Sequence, residues 1–171
     1  MHSGALADPL NDNVKQLKKI SSKRDKTDSD FEQMAKLEFI GSLYSENNKA
    51  IIPTEIIEAN IVAAARKTKK GKVMLSAIFA TKNTILNFQG EQDLIKRFDN
   101  SEYRYTVSVC IQRARIMRTR PIFRNWSANI EIEYDNEQIN LSELKDIIKT
   151  SGDVGIMDYR PKFGRFKVEF L

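Results

Sequence analysis

Apolar positions change their period several times along this chain, and each change marks an element. Val14, Leu17 and Ile20 recur at helical spacing and predict a short helix inside a lysine-rich stretch. Thr27-Asp28-Ser29-Asp30 offers an N-cap with acids in the first turn. Phe31, Met34, Ala35, Leu37 and Glu38 follow at helical spacing, the apolar members facing a core. Residues 39–44 then read as a strand, Glu46-Asn47-Asn48-Lys49 as a turn, and 50–52 as a returning strand. Pro53-Thr54-Glu55 opens a second helix with Ile56, Ile57, Asn60, Ile61, Ala64 and Ala65 on its buried face and Gly71 as its stop.

Further on, residues 73–80 are apolar and predict a strand, 84–88 another, and 92–98 a short helix. The turn Asp99-Asn100-Ser101 leads into β-branched alternation over 103–111, with Val107, Val109 and Ile111 on one face. Residues 126–134 set Ile130, Ile132 and Tyr134 against Glu131 and Glu133. A helix follows from Asn140 or Leu141-Ser142, carries Leu144, Ile147 and Ile148, and ends at Ser151-Gly152. After a loop over 153–164, residues 165–170 form a last strand with Phe166, Val168 and Phe170 inward. Strand, helix and strand over 126–170 make half of a ferredoxin-like sheet. The expected class is therefore α+β: a ferredoxin-like, RNA-recognition-type antiparallel sheet with helices packed on one face. Residues 1–27 read as a basic N-terminal arm, either solvated and partly disordered or gripping nucleic acid, and 28–171 as a single domain.

Composition narrows the chemistry. Among 171 residues there is one histidine, His2, and one cysteine, Cys110, the latter inside a strand and read as a small buried residue. That leaves no material for Ser-His-Asp or Cys-His catalysis, for a zinc site built on histidine or cysteine clusters, or for a disulfide. No apolar run approaches the ~20 residues that cross a bilayer, so no membrane partner is expected and the cytoplasm is the expected compartment. No phosphate-binding or nucleotide-binding glycine motif is present. Asp8, Asp12, Asp25, Asp28, Asp30 and Glu38 are candidates for metal or acid–base chemistry by proximity in sequence only; a metal-dependent nuclease that uses Asp8 or Asp12 is the weaker alternative. The expected state is a non-enzyme with no catalytic residue, no cofactor and no metal.

A net charge of +5 is modest; its placement says more. Residues 112–126 read QRARIMRTRPIFRNW, so Arg113, Arg115, Arg118, Arg120 and Arg124 alternate with apolar and aromatic residues just after a strand. These arginines are expected to leave the end of that strand on a rigid support. Guanidinium forks suit phosphate and base edges, and such a cluster implies a polyanionic partner. Lys69, Lys70 and Lys72 form a second basic run. The loop Tyr159-Arg160-Pro161-Lys162-Phe163-Gly164-Arg165 combines backbone freedom, positive charge and aromatic faces. Together they predict a groove for single-stranded RNA or DNA: the five arginines with Lys69, Lys70 and Lys72 line it, and Arg160, Lys162 and Arg165 close it. Tyr159, Phe163 or Trp126 would stack on bases.

Three segments also resemble a known family. IIPTEIIEANIVAAAR (51–66) resembles the isoleucine-proline-glycine opening and following helix of the repeat-associated mysterious proteins (RAMP), the RNA-binding backbone subunits of CRISPR effector complexes. GIMDYRPKFGRFKVEFL (155–171) is similar to that family's glycine-rich C-terminal loop and closing strand. MHSGALADPL (1–10) is similar to its substrate-facing loop. Thr54 stands where the family has glycine, and the glycine loop is sparse. The stretch MRTRPIFRNWSANIEIEYD from Met117, with GIMDYRPKFGRF, also resembles a set of small tailed-phage and prophage proteins over nearly the whole chain. The resemblance implies a small RAMP-like protein of phage origin acting in the host cytoplasm. It implies single-stranded nucleic acid as partner, bound by side-by-side copies as a homo-oligomer or filament. An alternative it implies is a protein-interaction module that mimics a CRISPR backbone subunit and takes a host-defence protein as partner.

Overall fold

The computed structural model describes residues 4–111, 113–157 and 159–171. In chain order the elements are α1 (Asp12–Ser21), α2 (Asp28–Gly41), β1 (Ser45–Glu46), β2 (Lys49–Ile52), α3 (Thr54–Ala65), α4 (Gly71–Ala77), β3 (Ile78–Ala80), β4 (Thr84–Ile85) and β5 (Asn87–Phe88). They continue as β6 (Arg104–Ile111), β7 (Ala114–Pro121), β8 (Trp126–Ser127), β9 (Ile132–Tyr134) and α5 (Leu141–Val154). Helices and short antiparallel ladders mix along the chain, so the class is α+β. The chain divides into two compact units: one takes the chain up to Ala50 together with Leu86–Ser127, the other takes Ile51–Ile85 with Ala128–Leu171.

In the first unit, the start of α2 follows directly from its sequence. The Thr27 hydroxyl accepts from the Asp30 N–H while the Asp30 carboxylate accepts from the Thr27 N–H, a reciprocal capping box. Lys23 adds a 2.6 Å contact to Asp30. α1 packs on α2 and buries Val14 and Ile20, so this part of the basic N-terminal segment is a docked helix. The strand expected over 39–44 is not there. α2 runs on to Gly41 because Phe39, fully buried, meets Phe98 edge to face at 5.6 Å from the helix. Phe31 lies on the helix's outer side, 56% exposed, not in the core. The β1–β2 turn behaves as read: Asn47 and Asn48 both take positive φ, the conformation a two-residue hairpin loop requires.

In the second unit, Pro53 precedes α3 and Asn140 caps α5 by accepting from the Glu143 N–H. α3 packs against α5, α4 and β3. Buried Asn60 on α3 donates to the carbonyls of Ser151 (3.2 Å) and Gly155 (2.8 Å), the first of which also accepts from the Gly155 N–H, and so ties α3 to the end of α5. Several expectations fail here. Gly71 begins α4 instead of ending α3, and of the strand expected over 73–80 only Ile78–Ala80 is extended, residues 73–77 being helical. Met74 and Ala77 are buried one turn apart, while Leu75 is 70% exposed. α5 continues through Ser151 and Gly152 to Val154, with Gly155 at φ +76 after it. Residues 165–170 are extended but join no ladder among the described residues; their anchor is the Phe166 N–H donating to the Gly152 carbonyl. The strand expected over 126–134 is two short ones, β8 paired with β5 in the first unit and β9 with β3 in the second.

Candidate nucleic-acid interface

β6 and β7 form one antiparallel hairpin, registered from Arg104↔Pro121 to Ile111↔Ala114. The arginine segment is thus the second strand of the hairpin, where the sequence had suggested a connection leaving its first strand. A two-residue connection closes the ladder, and Arg113 within it takes φ +70. Gln112 lies outside the described residues. Strand alternation then sorts the cluster. Arg115, Met117 and Thr119 share one face with Thr106, Ser108 and Cys110; Arg118 and Arg120 share the other with Tyr105, Val107 and Val109.

The two faces have different surroundings. α2 packs against β7 and brings the buried Glu38 carboxylate to it. Glu38 accepts from the Arg118 guanidinium and, at 3.0 Å, from the Thr119 backbone N–H; Arg120 stands 3.8 Å away and is itself buried. Arg120 also donates to the Thr119 carbonyl. These two arginines therefore neutralise a buried acid. On the other face Thr106, Ser108, Cys110 and Arg115 are exposed, and Met117 is 60% exposed. Cys110 is solvent-facing, contrary to its reading as a buried residue; this side of the hairpin is open toward the tip, while Thr119 at its base is buried and shares a 3.0 Å hydroxyl contact with Thr106. Arg113, Arg115 and Arg124 are exposed, and among the described residues no carboxylate lies within ion-pair distance of them.

Below the hairpin sits a group that the sequence did not single out. Arg97 is fully buried, its guanidinium 4.0 Å from the Tyr103 ring centre, 4.6 Å from Phe88 and 4.8 Å from Phe123. It donates to the carbonyls of Glu91 (2.7 Å) and Ile122 (3.2 Å), and Nε has no partner among the described residues. Burial pulls its pKa below the ordinary arginine value, with Tyr103 and Glu91 opposing the shift. No carboxylate is paired with this cation among the described residues; π faces and carbonyl dipoles hold it.

Apart from Trp126, the remaining residues expected in the groove belong to the second unit. Lys69 (φ +61) and Lys72 are exposed, and Lys70 reaches Glu143 at 3.3 Å. Tyr159, Arg160, Lys162 and Arg165 are exposed, Phe163 is half-buried, and the Lys162 ammonium lies 5.6 Å from the Phe163 ring. Gly155 and Gly164 brace this loop: the Ile156 N–H donates to the Gly164 carbonyl, and a Cβ at Gly164 would sit 2.0 Å from the Ile156 carbonyl oxygen. Trp126 is half-buried on β8.

Asp8 and Asp12 serve local turns: Asp8 accepts from the Leu10 N–H at 2.8 Å and Asp12 pairs with Lys15 at 3.2 Å. Among the described residues no group of three or more His, Cys, Asp or Glu could hold a metal. No helix among them is long and apolar enough to cross a membrane. Glu38 could have been suspected from its sequence, an acid set between Leu37 and Phe39 on an apolar helix face. Arg97 carries no such local mark. No protein-family model, curated protein or solved structure matches the chain.

Proposed function

We propose that this chain is a non-enzymatic binder of single-stranded nucleic acid and that the β6–β7 hairpin is its principal contact. One observation carries this reading: the hairpin tip and its open face present Arg113 and Arg115 beside exposed Met117, with no carboxylate partner among the described residues. Displayed guanidinium groups neutralise phosphates, and a polarisable apolar side chain beside them suits an unstacked base. Arg124, exposed just past the base end of β7, adds positive charge to the same unit. Arg118 and Arg120 act as supports through Glu38. The loop bearing Arg160, Lys162 and Arg165 is a second contact in the other unit, with Tyr159 as its exposed aromatic.

The finer fold reading belongs to the same proposal. The second unit runs from the end of β2 through α3, α4, β3 and β4, then β9, α5 and the extended C-terminal segment, with residues 86–127 inserted between β4 and β9. The antiparallel β3–β9 pair and the packing of α3 on α5 support reading it as a ferredoxin-like, RAMP-like unit in which α4 and β4 are additions and the C-terminal segment takes the place of the last strand.

Fluorescence anisotropy with labelled single-stranded RNA, single-stranded DNA and duplex DNA, each across a salt series, tests the binding. Single strands are expected to bind with affinity that falls steeply as salt rises, and the R113A/R115A variant to lose most of it. Absence of binding at low salt overturns the proposal, as does an R113A/R115A variant that binds as tightly as the parent. Stronger affinity for the RNA strand assigns the role to RNA.

A further inference from the structure

A sheet edge is open to pairing unless something covers it, and this protein covers its edges unequally. The outer edge of β7 is closed where the Thr119 N–H donates to Glu38. The β3 edge is closed where the Ala80 N–H donates to the Glu58 carboxylate at 2.9 Å. β6 has neither device. Because the Thr119 N–H points away from β6, the Thr106↔Thr119 pair is one of the pairs without mutual hydrogen bonds, and the ladder alternates from there. The backbone N–H and C=O groups of Thr106, Ser108 and Cys110 therefore face outward, and all three residues are exposed. No strand other than β7 pairs with β6 among the described residues.

Natural edges of this length usually carry a charge, a proline or a bulge that blocks association. Beyond Arg104 at its start, whose guanidinium lies 4.7 Å from the Phe98 ring, β6 has none: from Tyr105 to Ile111 it reads YTVSVCI. The stretch is also close to self-complementary. Laid antiparallel on a second copy about Ser108, it sets Val107 against Val109 and Thr106 against Cys110, while Ser108 meets Ser108. Small side chains oppose small ones, valines oppose valines, and no like charges face each other along the pair.

We infer that the β6 edge is a homodimer interface, in which two copies join edge to edge into a four-stranded sheet ordered β7-β6-β6-β7. The two-fold axis passes beside Ser108, so the contact closes on itself and does not extend into fibres. The arginine-bearing β7 strands become the outer edges, and the cation-bearing open faces of both hairpins lie on the same side of the new sheet.

Analytical ultracentrifugation of the full chain, treated with nuclease and held at high salt, separates self-association from any nucleic-acid bridging. A species of twice the chain mass is expected to grow with concentration. The T106K/S108K variant, which sets lysines on already exposed edge positions, is expected to sediment at the chain mass throughout, with its circular dichroism unchanged. A nitroxide on the S108C/C110S variant gives the register: two labels beside a two-fold axis at residue 108 produce a short inter-spin distance. A parent chain that stays monomeric at every concentration overturns the inference. So does a folded T106K/S108K variant that still dimerises, or a dimer whose labels at residue 108 are far apart.

Discussion

The base and the tip of the β6–β7 hairpin use the same side chain in opposite ways. At the base, Arg97 is enclosed by three aromatic rings, and Arg118 and Arg120 lie against buried Glu38. Toward the tip, Arg113 and Arg115 are exposed, with no carboxylate near them among the described residues. A guanidinium can serve as core material when its charge is met by an acid, by carbonyls or by π faces, and as a ligand for a partner when it is not. Arginine density along the sequence is the same in both places; the difference comes from what α2 and the segment 88–103 bring to the base. Substitutions at four places probe that contrast, and their expected effects on stability fall in order.

Arg97→Ala should be the most damaging. It empties a site lined by Phe88, Tyr103 and Phe123 and strands the Glu91 and Ile122 carbonyls. Loss of a large buried side chain costs about 3–5 kcal/mol, read as a lower urea midpoint. Arg97→Met, which refills the volume without the donors, should recover part of the loss. If Arg97→Ala unfolds no more easily than the parent, the base is not held as described.

Glu38→Ala comes next, at about 2–4 kcal/mol. It leaves Arg118 and Arg120 without their acid and the Thr119 N–H without its acceptor, and Arg118 at 30% exposure recovers some hydration. Glu38→Gln keeps an acceptor for Thr119 and should lose less. The R118A/R120A variant is expected to destabilise for the mirror-image reason, since it strands a buried carboxylate. It is therefore a test of the fold and not of the interface.

Much of this was legible where the signal is local. The Thr27–Asp30 capping box, the Asn47-Asn48 turn, the Pro53 start of α3 and the Asn140 cap of α5 are each set by a few neighbouring residues, and each stands where the pattern puts it. Failures gather where tertiary contact decides. Residues 39–41 look like a strand until Phe98 supplies a partner for Phe39. The short apolar run 73–77 has no period that separates helix from strand, and packing on α3 makes it α4. The five arginines look alike in sequence, and the split between support and display depends on Glu38, eighty residues away from Arg118.

The α2 cap offers a smaller and pH-dependent effect on the same base. Asp30's carboxyl is held below its usual 3.8 first by the Lys23 hydrogen bond and then by the Thr27 N–H. A folded pKa below the unfolded one gives stability that is present above the unfolded value and lost as pH falls through the folded one. Asp30→Asn should thus weaken the protein at neutral pH, and its deficit should shrink once the pH drops below about 4. Thr27→Ala should cost about 1 kcal/mol as the loss of a helix cap. An Asp30→Asn deficit that stays constant across the acid limb would sever the link between this cap and the ionised carboxylate.

The least effect on stability is expected at the tip, and it is the most telling. R113A/R115A removes two exposed side chains with no described ion pair, so the unfolding free energy should move by less than about 0.5 kcal/mol. Each arginine that neutralises a phosphate contributes about one unit to the slope of log affinity against log salt. The same variant should therefore flatten that slope by about 1–2 while its fold is untouched. Two outcomes separate cleanly. A stable variant with a flatter slope shows that tip arginines act on a partner and base arginines on the core. A variant that loses stability like Glu38→Ala, with its salt slope intact, would mean that base and tip are one structural unit and that the polyanion binds elsewhere, the Arg160–Arg165 loop being the next element to change.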